Sequence, residues 1–324
     1  MELKEIEYIQ ECLDIERKHF AYFKDKYALM ILAQKLKQFD NNEASVSEIK
    51  KSDFGFLLNK AEVKNLTAKL PRNSLNSDLL ANHWPSLYFD FELELGSWGA
   101  FTSRHRKDTY NQTTRPGYNL VLKLNFSIQH DIPYYNLLKP DCSYGPFAYS
   151  SHPISLKRNT LAWARLDIDL DTGELLIEEI QNDWLREARR IYIELMNDAK
   201  EGRDPNTHWY FSYDMKSNFK KFEHYYLKVL KPYYDIWDEA VLAATIDFSI
   251  SELGIKNIYM HEFDTGNKLK DLYFVKPPKS LYTKLPRRFG FKLTANPPKL
   301  LANYSYLKKA IRRDKDLAWY NIKF

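Results

Sequence analysis

The sequence predicts an α/β (or α+β) fold, with a helical region over 1–85 and a mixed α/β domain over 86–324. Three observations carry this expectation. Apolar residues recur at helical spacing near the N-terminus, without Pro or Gly. Apolar and polar residues alternate in several segments between 86 and 181. A long apolar helix pattern then lies between two strand patterns, the arrangement of a strand–helix–strand layer.

The elements follow in order. Ile6, Ile9, Leu13, Phe20, Phe23, Tyr27, Met30 and Leu36 predict one helix over 3–38. Ser45, with Glu48 three residues on, has the form of a capping box and predicts a second helix over 45–60. Pro71, Asn73, Ser74, Asn76, Ser77 and Pro85 make 61–85 a loop-rich connection. The segment 86–95 (SLYFDFELEL) places Leu87, Phe89, Phe91, Leu93 and Leu95 on one strand face, and Gly96 and Gly99 are expected to end it. After a turn at Pro116-Gly117, 118–127 alternates again. So does 161–170, with Leu166, Ile168 and Leu170 inward. Asp171-Thr172-Gly173 is a hairpin turn that feeds a strand over 174–181. With a three-residue loop, Leu170 faces Glu174, Arg165 faces Glu179 and Trp163 faces Gln181.

From Trp184 the period becomes helical to about Lys200, with Asn182 or Asp183 as the cap and Gly202 as the stop. A Tyr/Phe/Lys-rich helix covers about 215–230. A buried helix covers 235–253 and a short strand 255–260. An irregular Pro-rich stretch and a basic helix from Tyr304 complete the chain.

Composition bounds the function. Hydrophobic residues are 44% and aromatics 15%, enough for a large core. A net charge of +5 is too mild to argue nucleic-acid binding by itself. Cys12 and Cys142 form neither a disulfide framework nor a zinc motif, so reduced thiols in a cytoplasmic protein are expected. The charged N-terminus has no apolar signal core, and no run of ~18 apolar residues predicts a membrane span. Walker and GxGxxG loops are absent, which disfavours the common nucleotide-binding folds.

The chemistry-bearing stretch is 175–184, LLIEEIQNDW. An apolar strand that ends in Glu178, Glu179, Gln181 and Asp183 carries costly polar groups unless they are paired or used. Alternation puts Glu179, Gln181 and Asp183 on one face and Glu178 on the other. In a catalytic reading Glu179 is general base or orienter, Asp183 and Gln181 hold substrate, and Arg165 balances charge. In a structural reading Glu179 pairs with Arg165, Asp183 caps the next helix and Glu178 is solvated. His152, in Ser150-Ser151-His152-Pro153, and His261, at a strand end before Glu262 and Asp264, are candidates for proton transfer or for binding substrate. Ser151 beside His152 lacks an oxyanion signature. His261 with Glu179 and Asp183 is a conceivable metal set, although the eight His show no ligand spacing. Arg115, in the turn 112–117, can grip a phosphate or carboxylate, and Lys284, Arg287 and Arg288 form a second basic spot.

Two resemblances rest on these residues. The stretch 150–184, SSHPISLKRNTLAWARLDIDLDTGELLIEEIQNDW, resembles a domain of large polyvalent proteins of phages and mobile elements. That domain has a His-containing lead-in, an Arg-bearing hairpin strand and an IEEIQSDW-like segment. Asn182 stands where that family usually has Ser, and Pro153 after the His is unusual for it. The order from 175 to 291 is also similar to the GNAT acyltransferase layout of strand, helix, strand, helix, with Tyr282 followed by Gly290-Phe291. That likeness implies a GNAT-like sheet and an acyl-CoA donor. The chain departs from it in having no glycine loop for the CoA pyrophosphate after the strand. The expectation is an acyl or group transferase acting on a small molecule. The alternative is a non-catalytic binding module of phage or mobile-element origin that contacts a protein or nucleic acid.

Overall fold

The computed structural model describes residues 1–13, 18–70, 73–100, 111–141, 145–272 and 276–324. The N-terminal region runs α1 (Leu3–Cys12), β1 (His19–Tyr22) and α2 (Lys26–Leu36). Next comes a small ladder of β2 (Glu43–Ser45) with β3 (Ser74–Asn76), bracketing α3 (Val46–Lys51) and α4 (Ala61–Thr67). Then α5 (Ser77–Ala81) follows.

The single helix expected over 3–38 is therefore two helices and a strand. In HFAY the aromatics at Phe20 and Tyr22 share one face and are buried, a period of two that a helix would split. The Ser45–Glu48 capping box is present: the Glu48 amide donates to Ser45 Oγ at 3.2 Å, and the Ser45 amide to Glu48 Oε2 at 2.8 Å. Its helix stops at Lys51 rather than Lys60, and a short 3-10 turn covers Gly55–Asn59. The segment expected as loop holds α4, β3 and α5. Pro71 and Cys142 lie outside the described residues.

Among the described residues the main sheet has eight strands. Its members are β1, β4 (Phe89–Ala100), β5 (Gly117–Phe126), β6 (Thr160–Asp169), β7 (Glu174–Gln181), β8 (Asn257–His261), β9 (Lys292–Thr294) and β10 (Trp319–Lys323). Their order is β1-β4-β5-β6-β7-β8-β10-β9, and every neighbouring pair is antiparallel except β7–β8, which is parallel. β4 starts later than expected and runs through both glycines. Gly99 holds φ +116°, and a Cβ there would lie 2.5 Å from the Gly117 carbonyl, so only glycine fits. The sequence gives no expectation of β9 or β10, and β10 slots between β8 and β9.

Helices α6 (Ile128–Leu138), α7 (Trp184–Lys200), α8 (Phe219–His224), α9 (Lys231–Tyr234), α10 (Trp237–Ser251), α11 (Phe263–Leu269), α12 (Lys284–Arg288) and α13 (Ser305–Arg313) complete the chain. Helix α10 packs against β5, β6 and β7, within a main core that includes Leu175 and Ile177. Leu176 belongs to a second core with Tyr259, Leu269, Leu300 and Trp319. Both faces of β7 are covered, which is why its first half reads as an unbroken apolar run. Among the described residues, no helix is long and apolar enough to cross a membrane.

The β6–β7 register contains a bulge that alternation does not reveal. Asp169 faces Glu174, not Leu170, so the connection is one residue longer than expected. Yet Arg165 faces Glu179 and Trp163 faces Gln181, as expected. A bulge after Ile177 absorbs the difference, and Glu178 is the extra residue.

Candidate functional site

The polar end of β7 is shaped by where its neighbour stops. The parallel pairing with β8 ends at Ile177 opposite Met260, and β7 continues alone on that side through Gln181. Two side chains use the freed backbone. Lys270 Nζ donates to the Glu178 carbonyl at 2.8 Å, and the Ile180 amide donates to Tyr282 Oη at 3.3 Å.

The bulge places Glu178 on the same face as Glu179, because Ile177 and Ile180 both belong to the main core. Glu178 is fully buried, which corrects the expectation of a solvated side chain. Its carboxylate accepts the Thr114 amide at 3.1 Å and the Thr114 hydroxyl at 2.8 Å, and lies 3.3 Å from His261 Nε2. His261 Nε2 also lies 2.9 Å from Thr114 Oγ1, and Tyr306 Oη donates to the Thr114 carbonyl at 3.2 Å. Burial alone would push Glu178 up. The His261 hydrogen bond and charge, with Lys270 and Arg165 nearby, outweigh it and hold the carboxyl below its usual range. Burial also pulls the Lys270 amine down, against the Glu179 and Glu178 charges.

Arg165, buried on β6, forms an ion pair with Glu179. It also donates to the Asn111 carbonyl at 2.6 Å and the Gln112 carbonyl at 3.1 Å, and lies over the Trp98 ring. Five donors on a planar head suit this convergent role. The group is an interior polar knot joining β6, β7, β8 and the turn before β5.

A second cluster lies farther along β7 and reaches solvent. His152 Nδ1 lies 2.7 Å from Asp183 Oδ2. Gln181 Nε2 donates to Asp183 Oδ1 at 2.6 Å, and Arg186 Nη2 to the same oxygen at 2.8 Å. The His152 side chain is 29% exposed and that of Asp183 only 4%. The imidazole stands between Tyr149 and Trp163, ring centroids 5.4 and 6.1 Å away. A tight backbone turn aims it: the His152 amide donates to the Tyr149 carbonyl, and the Ile154 amide to the His152 carbonyl at 2.7 Å. Burial would push Asp183 up, but His152, Gln181 and Arg186 together hold it below the usual carboxylate range. Asp183 therefore stays ionised and accepts the Nδ1 proton, which leaves Nε2 to act as a base.

The structure separates several residues that the sequence grouped. His261 meets Glu178, whereas Asp183 meets His152, so the set His261–Glu179–Asp183 is not assembled. Among the described residues no cluster of three or more His, Cys, Asp or Glu side chains is placed to hold a metal ion. Arg115 does not reach out for an anion. Its Nε donates to Asp167 Oδ2 at 2.6 Å, a second nitrogen pairs with Oδ1, and Asp167 lies 3.6 Å from the N-terminal amine. Ser151 is exposed beside His152. Arg288 pairs with Glu239 and Asp238 and Arg287 donates to Tyr320 Oη, whereas Lys284 is exposed, so the three do not converge on one anion site. Asn182, not Asp183, caps α7, accepting the Leu185 amide at 2.8 Å.

Thr114, Lys270, Tyr282 and Tyr306 complete the inner knot and are not among the sequence-predicted site residues. Thr114 was visible as the neighbour of Arg115 in a polar turn before a buried strand. Lys270 and Tyr306 carry no sequence signal. No protein-family model, curated protein or solved structure matches this chain.

Proposed function

We propose that this chain is a group-transfer enzyme in which His152 is the general base. The observation that carries the reading is the His152–Asp183 pair, a part-exposed imidazole whose Nδ1 is held at 2.7 Å by a buried, ionised carboxylate. Nε2 takes a proton from an acceptor amine or hydroxyl as it attacks the acyl carbonyl of a thioester donor; the C–S bond breaks as the tetrahedral intermediate collapses, and the imidazolium returns the proton to the leaving thiolate. Asp183 stabilises the imidazolium that forms, and Gln181 and Arg186 fix the carboxylate. Trp163 and Tyr149 form the walls beside the ring. This moves the base from Glu179, whose carboxylate is engaged by Arg165, to His152. It also leaves Glu178 and His261, which have no exposed surface, as architecture.

The layout supports transfer chemistry by its likeness to GNAT acyltransferases. An antiparallel meander leads into β7, helices follow, and a parallel β8 diverges from β7 at the polar end. The Leu185 amide is taken by Asn182, the Ile180 amide by Tyr282 and the Glu178 carbonyl by Lys270. A donor that adds to this edge must displace them.

The test is release of free thiol from a panel of acyl-CoAs with amine and alcohol acceptors, together with thermal shift. Turnover that His152→Gln and Asp183→Asn abolish, with melting temperature nearly unchanged for His152→Gln, is the expected result. Neither turnover nor a shift with any acyl-CoA rejects the acyltransferase form of the reading. A second reading, a binding module, is favoured by one observation. Ile128, Ile132 and Tyr135 on α6, with Leu156 beside them, present exposed apolar side chains around a single groove.

A further inference from the structure

A half-open cavity between β1, α2, α5 and α10 shares no lining residue with either cluster at the β7 end. Its volume is about 530 Å³, within the range of roughly 300–1,000 Å³ that small-molecule sites occupy. Tyr27, Met30, Ile246 and Phe289 form the apolar part of its mixed walls. Trp84 stands half exposed at the rim, edge-on to Phe23 at 5.9 Å and to Tyr88 at 5.7 Å.

Two opposite charges enter this apolar space. Lys26, on α2, holds its ammonium 4.5 Å from the Trp84 ring centroid and 5.0 Å from that of Phe20, and gives one hydrogen bond to the Ala21 carbonyl. An ammonium has three donors, so Lys26 has capacity left. Asp247, on α10, lines the same cavity and accepts the Ser251 hydroxyl at 3.4 Å. Lys26 and Asp247 feel each other's charge, but no ion pair joins them. Burial pulls the Lys26 amine down to about 8 and pushes the Asp247 carboxyl up, the signature of two groups short of partners. The other Asp, Lys and His side chains on the wall are already engaged or lie at the rim. His19 is held by Asp90 and His83 by Glu62, while Lys37 and Asp78 are exposed.

We infer that this cavity binds a small zwitterion with an apolar body, of the hydrophobic α-amino-acid class. Its carboxylate meets Lys26, its ammonium meets Asp247, and its side chain lies against Tyr27, Met30 and Ile246. A ligand of one sign would satisfy one wall and leave the opposite charge desolvated and unpaired, and an uncharged apolar ligand would leave both so. The inference is independent of the proposed transfer chemistry.

Isothermal titration of the full chain with three probes of one body tests it: L-tryptophan, indole-3-propionate and tryptamine. L-tryptophan is expected to bind at least tenfold tighter than either single-charge probe. Lys26→Met and Asp247→Asn are each expected to weaken it at least tenfold, and Met30→Trp, which fills the cavity, to abolish binding with the circular-dichroism spectrum retained. Equal affinity for the three probes overturns the inference. So does an absence of heat with both L-tryptophan and the smaller L-leucine, or binding that survives Met30→Trp. The three-probe comparison uses the wild-type chain, so it decides the matter even where a variant fails to fold.

Discussion

Glu178, the extra residue of the β7 bulge, accepts both the amide and the hydroxyl of Thr114, at 3.1 and 2.8 Å. One residue of β7 thus fastens the turn that precedes β5, 64 positions earlier in the chain. The bulge makes this possible by turning two consecutive carboxylates to one face. The substitution Glu178→Gln keeps the size but replaces a charge acceptor with an amide that adds unwanted donors. It is expected to cost about 2–4 kcal/mol, the scale of losing charge-assisted bonds in a buried site. Urea denaturation of the two proteins measures it. The pH dependence follows from the depressed carboxyl. A folded value below the unfolded one gives stability that is present above about 4.3 and is lost as pH falls below it. Glu178→Gln is therefore expected to flatten the stability loss between pH 5 and pH 3.

The ion pair of Arg165 with Glu179 gives a second prediction. Arg165 is almost fully buried, so removing its partner strands a guanidinium in the core. Glu179→Gln is expected to cost about 3 kcal/mol or more, and Arg165→Met a similar amount. The double variant Arg165→Met with Glu179→Leu removes both charges and is expected to cost less than the sum. A double-mutant cycle by denaturant unfolding checks this. A catalytic Glu179 would behave differently, losing activity on Glu179→Gln at full stability.

The same pair shows what the sequence can disclose. Arg165 opposite Glu179 was legible from the turn and the alternation, but a longer turn and a bulge had to cancel for it to hold. Alternation cannot reveal a bulge, because the inserted residue is visible only against its partner strand. That is why alternation assigns Glu178 to the wrong face. His152 and Asp183 were each legible as polar residues beside strand ends. Their contact was not, because it depends on a turn 31 residues before Asp183. β1 was lost inside a helix pattern because Phe20, Phe23 and Tyr27 satisfy helical spacing, while pairing with β4 decides the outcome. β10 was lost because five residues after a basic helix give little periodicity to read.

A buried proton chain yields a third prediction, in a different pH window. Trp184 Nε1 donates to Tyr225 Oη at 2.8 Å, so that hydroxyl donates to His130 Nε2, also at 2.8 Å. His130 Nδ1 then carries the proton and donates to Asp131 Oδ1 at 3.0 Å. Protonating Nε2 would break the chain. Burial lowers the His130 value, and the Asp131 hydrogen bond and charge only partly offset it. With the folded value below the unfolded one, stability is full above about 6.5 and declines as pH falls through that point. Wild type is expected to lose more stability between pH 7.5 and pH 5.5 than His130→Gln does. Denaturant unfolding at those two values decides it, well above the range where Glu178 titrates.

The last prediction separates Asn182 from Asp183, which are adjacent and equally plausible as caps. Asn182 Oδ1 accepts the Leu185 amide at 2.8 Å, whereas Asp183 makes no side-chain cap bond. Asn182→Ala is expected to cost about 1 kcal/mol through the lost cap. It is expected to leave the environment of His152 unchanged. Asp183→Asn is expected to change that environment, and to cost stability as well, because a buried carboxylate loses its charge-assisted bonds to His152 and Arg186. It keeps a side chain of the same shape near Gln181 and Arg186 but removes the negative charge that holds the Nδ1 proton of His152. The expected result is a His152 ring whose Nδ1 proton loses its charged acceptor, seen as an upfield shift and faster exchange of the Nδ1–H signal. Proton NMR of the imidazole N–H and ring signals at one fixed pH, alongside urea denaturation of each variant, measures both effects. If Asn182→Ala moved the Nδ1–H signal while Asp183→Asn did not, the proposed orienting role of Asp183 would fall, and with it the assignment of His152 as base.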